Sequence, residues 1–209
     1  MNYPVQITEI KNGLKFYVPD VAIIKETYEL LKQKDPNTLF PYWAKIWASS
    51  IAMAAFLQKN PTWIQDKTVL EIGAGIGLPS FQNASTAKSI ILSDYDRDAV
   101  ALMKKNIDFL ELKNVQAIHL DWNDFPNDIE GELVLLCDVN YAPSDFSALI
   151  KLIENLLNQN RTLVLSTPER ISSSKFMEAI NPYIKQSFLE TVQENGQAVN
   201  VVIAILKNN

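Results

Sequence analysis

Residues 68–79 read TVLEIGAGIGLP, a short apolar run that passes directly into three glycines at alternate positions. The run Thr68–Ile72 is rich in aliphatic and β-branched residues and has the length of a strand. Glycine lets the backbone turn tightly and approach a ligand without an intervening side chain. We therefore predict a strand, a glycine loop and a helix that continues to about Ala87.

Downstream of this stretch, apolar runs of strand length recur, and amphipathic segments lie between most of them. Strands that helices cover on both faces need to be apolar along their whole length. Two final runs, at 184–192 and 198–206, have no helix between them, which predicts an antiparallel hairpin. The fold class is therefore α/β, a doubly wound, mostly parallel seven-strand sheet with a C-terminal antiparallel hairpin. The other predicted strands are 89–94, 115–119, 133–138 and 162–166.

The segment before the first of these strands follows other patterns. Residues 4–18 alternate loosely around Asn12-Gly13, which predicts a small hairpin. Residues 20–33 are predicted as a short helix, and residues 43–58 as a second helix because their apolar side chains recur at helical spacing.

A length of 209 residues fits one domain. We interpret 1–209 as a single domain, with a hairpin and helix extension over 1–39 and a ligand-binding core over 40–209. With 19 basic and 24 acidic residues the net charge is −5, which disfavours nucleic acid and anionic membranes as partners. The oligomeric state stays open.

The composition also indicates a compartment. Cys137 is the one cysteine, so no disulfide forms within the chain, and this suits a reducing environment. The N-terminus lacks the apolar stretch of a signal peptide, and no run reaches the roughly 18 apolar residues of a membrane span. We expect a cytoplasmic protein. No Cys/His cluster has metal-ligand spacing, so we expect no metal site.

Polar residues follow several of the predicted strands. In an open α/β sheet the ligand lies beyond the carboxyl ends of the strands. Glu71 and the glycines, Asp94, Asp121-Trp122 and Asp138 all fall at such ends. This convergence predicts a ligand site more strongly than any single residue does.

The spacing of the glycines distinguishes between two possible cofactors, a dinucleotide and S-adenosylmethionine. Dinucleotide-binding loops favour Gly-x-Gly-x-x-Gly, but the third position of that pattern is Leu78 here. Glu-x-Gly-x-Gly-x-Gly is the spacing used by enzymes of S-adenosylmethionine. Asp94 would accept the ribose hydroxyls of either cofactor, or else cap the next helix. A nicotinamide oxidoreductase therefore remains an alternative.

Two further pairs have candidate roles. Asp121 and Trp122 suit an adenine pocket, the alternative being a core tryptophan beside a surface aspartate. Asp138 leaves an otherwise apolar strand, where its carboxylate would face a transferred methyl group and orient an acceptor amine. Tyr141 would wall the site or hydrogen-bond the nitrogen. Whether a protein group or water takes the proton is left open.

Five motifs now occur in a fixed order along the chain, and together they resemble methyltransferase family 16, the seven-strand S-adenosylmethionine-dependent protein-lysine methyltransferases. The resemblance covers residues 40 to 206 and implies a Rossmann-like methyltransferase fold. The motifs are Phe40–Trp47, Val69–Pro79, Ser93–Tyr95, Leu120–Asn123 and Cys137–Tyr141.

The resemblance implies roles for named residues. Asp138 and Tyr141 form the Asp-x-x-Tyr pattern of lysine-modifying members and are the expected catalytic residues, with a protein lysine as the acceptor. The residues expected to bind S-adenosylmethionine are Trp47, Glu71, Gly73, Ala74, Gly75, Gly77, Asp94, Tyr95, Asp121 and Trp122.

Alternatives of the same fold are a small-molecule methyltransferase and a protein that binds S-adenosylmethionine without turning it over. An Asn/Asp-Pro-Pro-Tyr motif is missing from the sequence, which weighs against amide and adenine acceptors.

Overall fold

The computed structural model describes residues 3–10, 13–126 and 128–208. Strands β1 (Val5–Glu9) and β2 (Lys15–Pro19) pair antiparallel, and helix α1 (Val21–Lys34) follows them. The later strands are β3 (Thr68–Ile72), β4 (Ser89–Asp94), β5 (Val115–His119), β6 (Leu133–Cys137), β7 (Thr162–Pro168), β8 (Ile184–Glu194) and β9 (Gln197–Leu206). The later helices are α2 (Ala48–Lys59), α3 (Leu78–Asn83), α4 (Arg97–Phe109), α5 (Phe146–Asn158) and α6 (Ser174–Ile180).

The main sheet of the described chain has seven strands in the order β5-β4-β3-β6-β7-β9-β8. Strands β3 to β7 are parallel to one another, while β9 pairs antiparallel with both β7 and β8. The chain enters this sheet at β3, moves outward through β4 to β5, and then returns to β6 on the other side of β3. The predicted doubly wound sheet with a C-terminal hairpin is confirmed.

Helices cover both faces of the sheet, which is why its parallel strands are apolar throughout. Side chains of α2, α3 and α4 pack on one face, where Met53, Phe56 and Phe81 are buried. Side chains of α5 and α6 pack on the other, where Leu149 and Phe176 are buried. Each fully buried side chain of this size contributes about 1.5–3 kcal/mol to the free energy of folding.

The helix predicted over 43–58 is shorter in the structure, and this prediction was wrong at its start. The chain makes a single 3₁₀ turn at Tyr42–Ala44, has extended backbone at Lys45 and Trp47, and enters α2 at Ala48. The Trp47 indole Nε1 donates a hydrogen bond to the Tyr42 carbonyl at 2.8 Å. That contact stabilises the extended segment instead of a first helical turn.

Several other boundaries differ from the predictions by a few residues, and two of these differences have a visible local cause. Helix α3 ends at Asn83 rather than near Ala87, because the Asn83 side-chain amide donates to the Pro79 carbonyl at 2.8 Å and the chain then turns. Strand β6 ends at Cys137 because Asp138 has a left-handed backbone with φ +56°. This turn directs the chain away from the sheet at the point where the cleft described below begins.

The predicted N-terminal hairpin is present, although Asn12 of its predicted turn lies outside the described residues. The Asn106 side chain of α4 holds it, accepting from the Tyr17 N–H at 2.7 Å and donating to the Tyr17 carbonyl at 2.9 Å. Phe16 is fully buried in the same cluster as Ile76 and Leu78. The hairpin therefore packs directly behind the glycine loop.

Candidate active site

A cleft of about 720 Å³, open solvent at its mouth included, lies at the carboxyl ends of β3, β4 and β6. The glycine loop forms its floor, and aromatic side chains form much of its wall. Predicted site residues that line it are Trp47, Gly73, Ala74, Gly75, Gly77, Asp94, Tyr95, Trp122, Asp138 and Tyr141.

The loop after β3 needs glycine for two reasons. Gly73, Gly75 and Gly77 have φ values of +65°, +56° and +80°, which L side chains rarely adopt. A Cβ on Gly75 would lie 3.1 Å from the carbonyl oxygen of Trp43, and one on Gly73 would lie 3.1 Å from the Val139 side chain. The backbone of this loop is therefore packed closely against the segments on either side of it.

Asp94 is buried at the end of β4 and binds the glycine loop. Its Oδ2 accepts from the Gly75 N–H at 2.8 Å, and its Oδ1 accepts from the Asp96 N–H at 2.9 Å. Burial raises the pKa of Asp94 to about 6, although the backbone donors oppose that shift. The cap of α4 is Asp96, which accepts from the Asp98 N–H, so Asp94 has a different role.

Glu71 does not line the cleft. Its side chain is fully buried beneath the loop, where Oε2 accepts a hydrogen bond from the Ser80 hydroxyl of α3. The other oxygen, Oε1, has no hydrogen-bond partner among the described residues. Burial raises the pKa of Glu71 to about 7. The structure thus places this predicted cofactor residue behind the loop and not on its ligand face.

The predicted pair Asp121-Trp122 is divided between two places. Trp122 is half-buried in the cleft, 3.5 Å from the position of a Cβ on Gly73. Asp121 is exposed and lines a neighbouring groove, and its Oδ1 accepts from the Asn123 N–H at 2.9 Å. That bond caps the short turn Trp122–Asp124. The indole alone of this pair faces the cleft.

Aromatic rings close the outer side of the cleft. The Tyr42 ring centroid lies 5.1 Å from that of Tyr141 and 6.4 Å from that of Trp47. Burial is the main cause that raises the pKa of Tyr141 to about 12, so its hydroxyl stays protonated at neutral pH. Beyond these rings lies a wider groove, which shares Tyr42, Tyr95, Trp122 and Tyr141 with the cleft.

Asp138 follows β6 and Asp94 ends β4, so the two residues lie on opposite sides of β3 in the sheet. Arg170 holds the Asp138 carboxylate. Arg170 Nη1 donates to Oδ1 at 2.7 Å and Nη2 donates to Oδ2 at 2.8 Å. Nearby, Lys45 Nζ lies 3.2 Å from Glu194 Oε1 and 4.2 Å from the Trp47 ring centroid. Two ion pairs, Asp138–Arg170 and Glu194–Lys45, therefore lie near one another at this end of the cleft.

Our sequence predictions missed Arg170 and Glu194. Arg170 follows the end of β7, the strand next to β6, so the rule that polar residues at strand ends converge could have found it. Glu194 ends β8 at the tip of the terminal hairpin, and no local signal connects it to the cleft. Lys45 lies within the quoted Trp-containing motif but was not given a role.

Two features are absent from the described residues. No group of three or more histidine, cysteine or acidic side chains there has the geometry of a metal site. No described helix combines the length and apolarity that crossing a membrane requires.

Comparison with known proteins identifies relatives of the chain. A family model described as lysine methyltransferase matches residues 37–183. The histone-arginine methyltransferase METTL23 of Mus musculus is 26% identical over 138 residues, covering 63% of this chain and 54% of that protein. The protein N-terminal and lysine N-methyltransferase EFM7 of Candida glabrata is 28% identical over 198 residues, covering 86% of this chain and 72% of that protein. The chain spans about half the length of the mouse relative.

Solved structures show the same architecture. The N-methyltransferase NodS from Bradyrhizobium japonicum WM9, in complex with S-adenosyl-L-homocysteine, superposes with a TM-score of 0.63 at 12% identity, covering 87% of this chain and 98% of that one. A human methyltransferase 10 domain containing protein superposes with a TM-score of 0.61 at 10% identity, covering 89% of this chain and 96% of that one. At such identities the likeness shows the fold alone.

Proposed function

Since this chain belongs to the lysine methyltransferase family, we propose that it transfers a methyl group from S-adenosylmethionine to a protein. The acceptor that we propose is the nitrogen of a lysine side chain. The observation that carries the proposal is the convergence of the glycine loop, Asp94 and Asp138 on one cleft. Each of these groups comes from the carboxyl end of a different parallel strand.

The residues of the cleft fit S-adenosylmethionine. A Cβ on Gly73 or Gly75 would crowd a neighbouring segment at 3.1 Å. Without side chains, the backbone of this loop can approach a ligand closely. Asp94 offers a buried carboxylate to the ribose hydroxyls, because each of its oxygens accepts one backbone bond and retains a second lone pair. Trp122 and Tyr95 supply flat apolar surface for adenine.

S-adenosylmethionine, when bound, supplies an activated methyl group on a positively charged sulfur. The protein has to bring a neutral acceptor nitrogen close to it in a fixed orientation. Asp138 accepts a hydrogen bond from the acceptor nitrogen, since its carboxylate lines the cleft. The Tyr141 hydroxyl oxygen accepts a further hydrogen bond from the acceptor nitrogen, whose own lone pair has to stay free for the methyl group, or the Tyr141 ring packs against the alkyl part of the acceptor side chain.

A protein acceptor is favoured over a small molecule by the shape of the entrance. The cleft opens into a groove lined by α1 residues, the segment 36–42 and Asp145. An exposed groove of this kind accommodates a chain segment, whereas a small substrate is normally enclosed. The relatives METTL23 and EFM7 carry names of enzymes that act on proteins, which supports the same acceptor class.

The acceptor class can be tested without knowing the substrate. The full-length protein is incubated with a cell lysate and S-adenosylmethionine labelled in its methyl group, and the labelled proteins are hydrolysed to amino acids. We expect labelled methyl-lysine. Labelled methyl-arginine or α-N-methyl amino acids alone would replace lysine as the acceptor, and label only in small molecules would overturn the protein acceptor.

Two variants make this experiment specific. Asp138→Asn should bind S-adenosylhomocysteine like the wild type but incorporate little label. Lys59→Gln also removes one charge, but Lys59 pairs with Glu190 on the exposed surface and should leave incorporation unchanged. If the wild type did not bind S-adenosylhomocysteine in calorimetry, the proposed function would be withdrawn.

We also propose that residues 1–209 act as one domain in the cytoplasm. The single cysteine, Cys137, is a free thiol, which supports a reducing compartment. Fractionation of cells that express the tagged protein tests the location, and recovery in the membrane or secreted fraction would contradict it.

A further inference from the structure

The ion pair between Asp138 and Arg170 joins two segments that leave neighbouring strands of the sheet. Both hydrogen bonds are short, at 2.7 and 2.8 Å, and each guanidinium nitrogen meets a different carboxylate oxygen. Parallel bonds of this kind set the plane of the carboxylate as well as its position. Arg170 therefore determines how Asp138 presents its remaining lone pairs.

Both partners are anchored by their backbones. The Asp138 N–H donates to the Ser166 carbonyl of β7 at 2.9 Å. The Arg170 carbonyl accepts from the Ser173 hydroxyl at 2.9 Å and from the Ser173 N–H at 3.2 Å. Asp138 also has the left-handed backbone that ends β6. The pair therefore lies directly beyond the carboxyl ends of β6 and β7, with backbone hydrogen bonds on both partners.

The two partners differ in their surroundings. The Asp138 side chain is 8% exposed and lines the cleft, while the Arg170 side chain is 31% exposed and faces a separate surface pocket. An ionised aspartate has about four lone-pair sites on its two oxygens. A bidentate arginine occupies two of these, and the others remain for groups inside the cleft.

We propose that Arg170 is a positioning residue for the methyl transfer. It keeps the Asp138 carboxylate ionised and holds it in one orientation toward the acceptor nitrogen. This inference rests on the proposed function. Arg170 itself does not line the cleft, so it acts through Asp138 and does not touch the acceptor.

Charge balance supports this role. Burial raises the pKa of Asp138, whereas the hydrogen bonds and charge of Arg170 lower it. The other groups that face this carboxylate are Glu194 of β8, which raises its pKa, Lys45, which lowers it, and the Cys137 thiol. Lys45 is itself paired with Glu194, so Arg170 is the cation that directly balances Asp138.

The direct test is a titration of Asp138 in the full-length protein. Carboxyl carbons of aspartate are labelled with ¹³C, and the Asp138 resonance is identified by its loss in Asp138→Asn. An opposite charge within hydrogen-bonding distance typically moves a carboxyl pKa by about 1–3 units. Arg170→Gln should therefore raise the pKa of Asp138 by about that amount, and the surface variant Lys59→Gln should not change it.

A second readout connects the pair to methyl transfer. In Arg170→Gln we expect the initial rate of label incorporation into lysate proteins to fall by up to about a hundred-fold at neutral pH. The acidic limb of its pH–rate profile should move to higher pH, because the carboxylate then gains a proton at higher pH. Affinity for S-adenosylhomocysteine should stay as in the wild type.

Arg170→Lys separates charge from geometry, since lysine keeps the charge but loses the two parallel bonds. We expect an Asp138 pKa between those of the wild type and Arg170→Gln, and an intermediate rate. If Arg170→Gln does not fold, the Asp138 pKa and the rate measured for Arg170→Lys test the proposal in its place. The proposal would be overturned if the pKa of Asp138 were the same in Arg170→Gln, Arg170→Lys and Lys59→Gln. It would also be overturned if Arg170→Gln lost the same fraction of its rate at every pH. If the wild type did not bind S-adenosylhomocysteine at all, the proposed function would be refuted instead.

Discussion

The Asp94 carboxylate accepts a hydrogen bond from the Gly75 N–H at 2.8 Å, which ties the end of β4 to the middle of the glycine loop. Asp94 ends β4, and Gly75 lies in the loop that follows the neighbouring parallel strand β3, 19 positions earlier in the chain. The bond sets the loop and the ribose-binding candidate in one rigid arrangement. Changes at either residue should therefore affect cofactor affinity before they affect the sheet.

The first prediction concerns pH. Burial raises the pKa of Asp94 to about 6, so the carboxylate becomes protonated as the pH falls through that value. Protonation removes acceptor sites for the ribose hydroxyls, and a hydrogen bond to a charged group contributes about 1.5–3 kcal/mol. Calorimetry should show the affinity for S-adenosylhomocysteine falling about ten-fold or more between about pH 7.5 and about pH 5.

Asp94→Asn is the control for this effect. Its affinity should be lower than that of the wild type at neutral pH and nearly constant over the same range. An equal pH dependence in both proteins would assign the effect to another group.

The second prediction concerns the glycine loop. Gly75→Ala has to keep a φ of +56° and place its Cβ 3.1 Å from the Trp43 carbonyl oxygen. The left-handed backbone alone costs about 1–2 kcal/mol, and the contact displaces the segment that lines the cleft. We expect a large loss of S-adenosylhomocysteine affinity, measured by calorimetry.

Gly13→Ala is matched to this variant. Gly13 has a φ of +78°, but apart from its chain neighbours no described residue has an atom within 4 Å of its Cβ position. It should show a similar loss of thermal stability with unchanged affinity. If both variants bound the ligand equally well, close packing of Gly75 would not matter for binding.

The third prediction separates the ring of Tyr141 from its hydroxyl. Its pKa of about 12 means that the hydroxyl is not the base in the neutral range. Tyr141→Phe keeps the ring that lies 5.1 Å from Tyr42. We expect full S-adenosylhomocysteine affinity, an alkaline limb of the pH–rate profile at its original position, and a rate lower by about five-fold, as for loss of one neutral hydrogen bond of about 1 kcal/mol.

Tyr141→Ala removes the ring as well and should weaken ligand binding too. A shift of the alkaline limb in Tyr141→Phe would show that the hydroxyl does titrate during turnover.

The fourth prediction concerns stability. Because the folded-state pKa of Glu71 is raised from 4.5 to about 7 by burial, the folded chain binds its proton more tightly than the unfolded chain does. The resulting stabilisation is fully present below about pH 4.5 and is lost as the pH rises to about 7. At about 1.4 kcal/mol per pKa unit, the change in the free energy of unfolding is up to about 3 kcal/mol.

Thermal unfolding across this pH range measures the effect. The wild type should lose stability from about pH 5 to about pH 7, and Glu71→Gln, which cannot ionise, should flatten that slope. An identical slope in both proteins would mean that Glu71 is already ionised at the lower pH.

Local patterns were sufficient to predict most of the sheet. Apolar runs of strand length, followed by glycine or aspartate, predicted β3 and β4 to the residue. The lack of a helix between the last two runs predicted the antiparallel pairing of β8 and β9. A short stretch of sequence is enough to predict these features, because strand length, apolarity and the freedom of glycine at positive φ are properties of a short segment.

Other features depended on contacts that no short segment contains. The helical spacing after Trp43 predicted a helix that starts at residue 43. In the structure α2 begins at Ala48, because the Trp47 indole donates to the Tyr42 carbonyl. Glu71 stands in the expected motif, but its side chain turns to Ser80 and away from the ligand face.

By itself, the sequence determined the doubly wound sheet, the glycine loop and the set of strand ends at which Asp94, Trp122 and Asp138 stand. Only the tertiary structure decided that Arg170, 32 positions after Asp138, would lie beside it and hold both of its oxygens. The physical reason is that periodicity and backbone freedom act along the chain, whereas the charge beside a buried carboxylate depends on which distant strands the packed sheet makes neighbours.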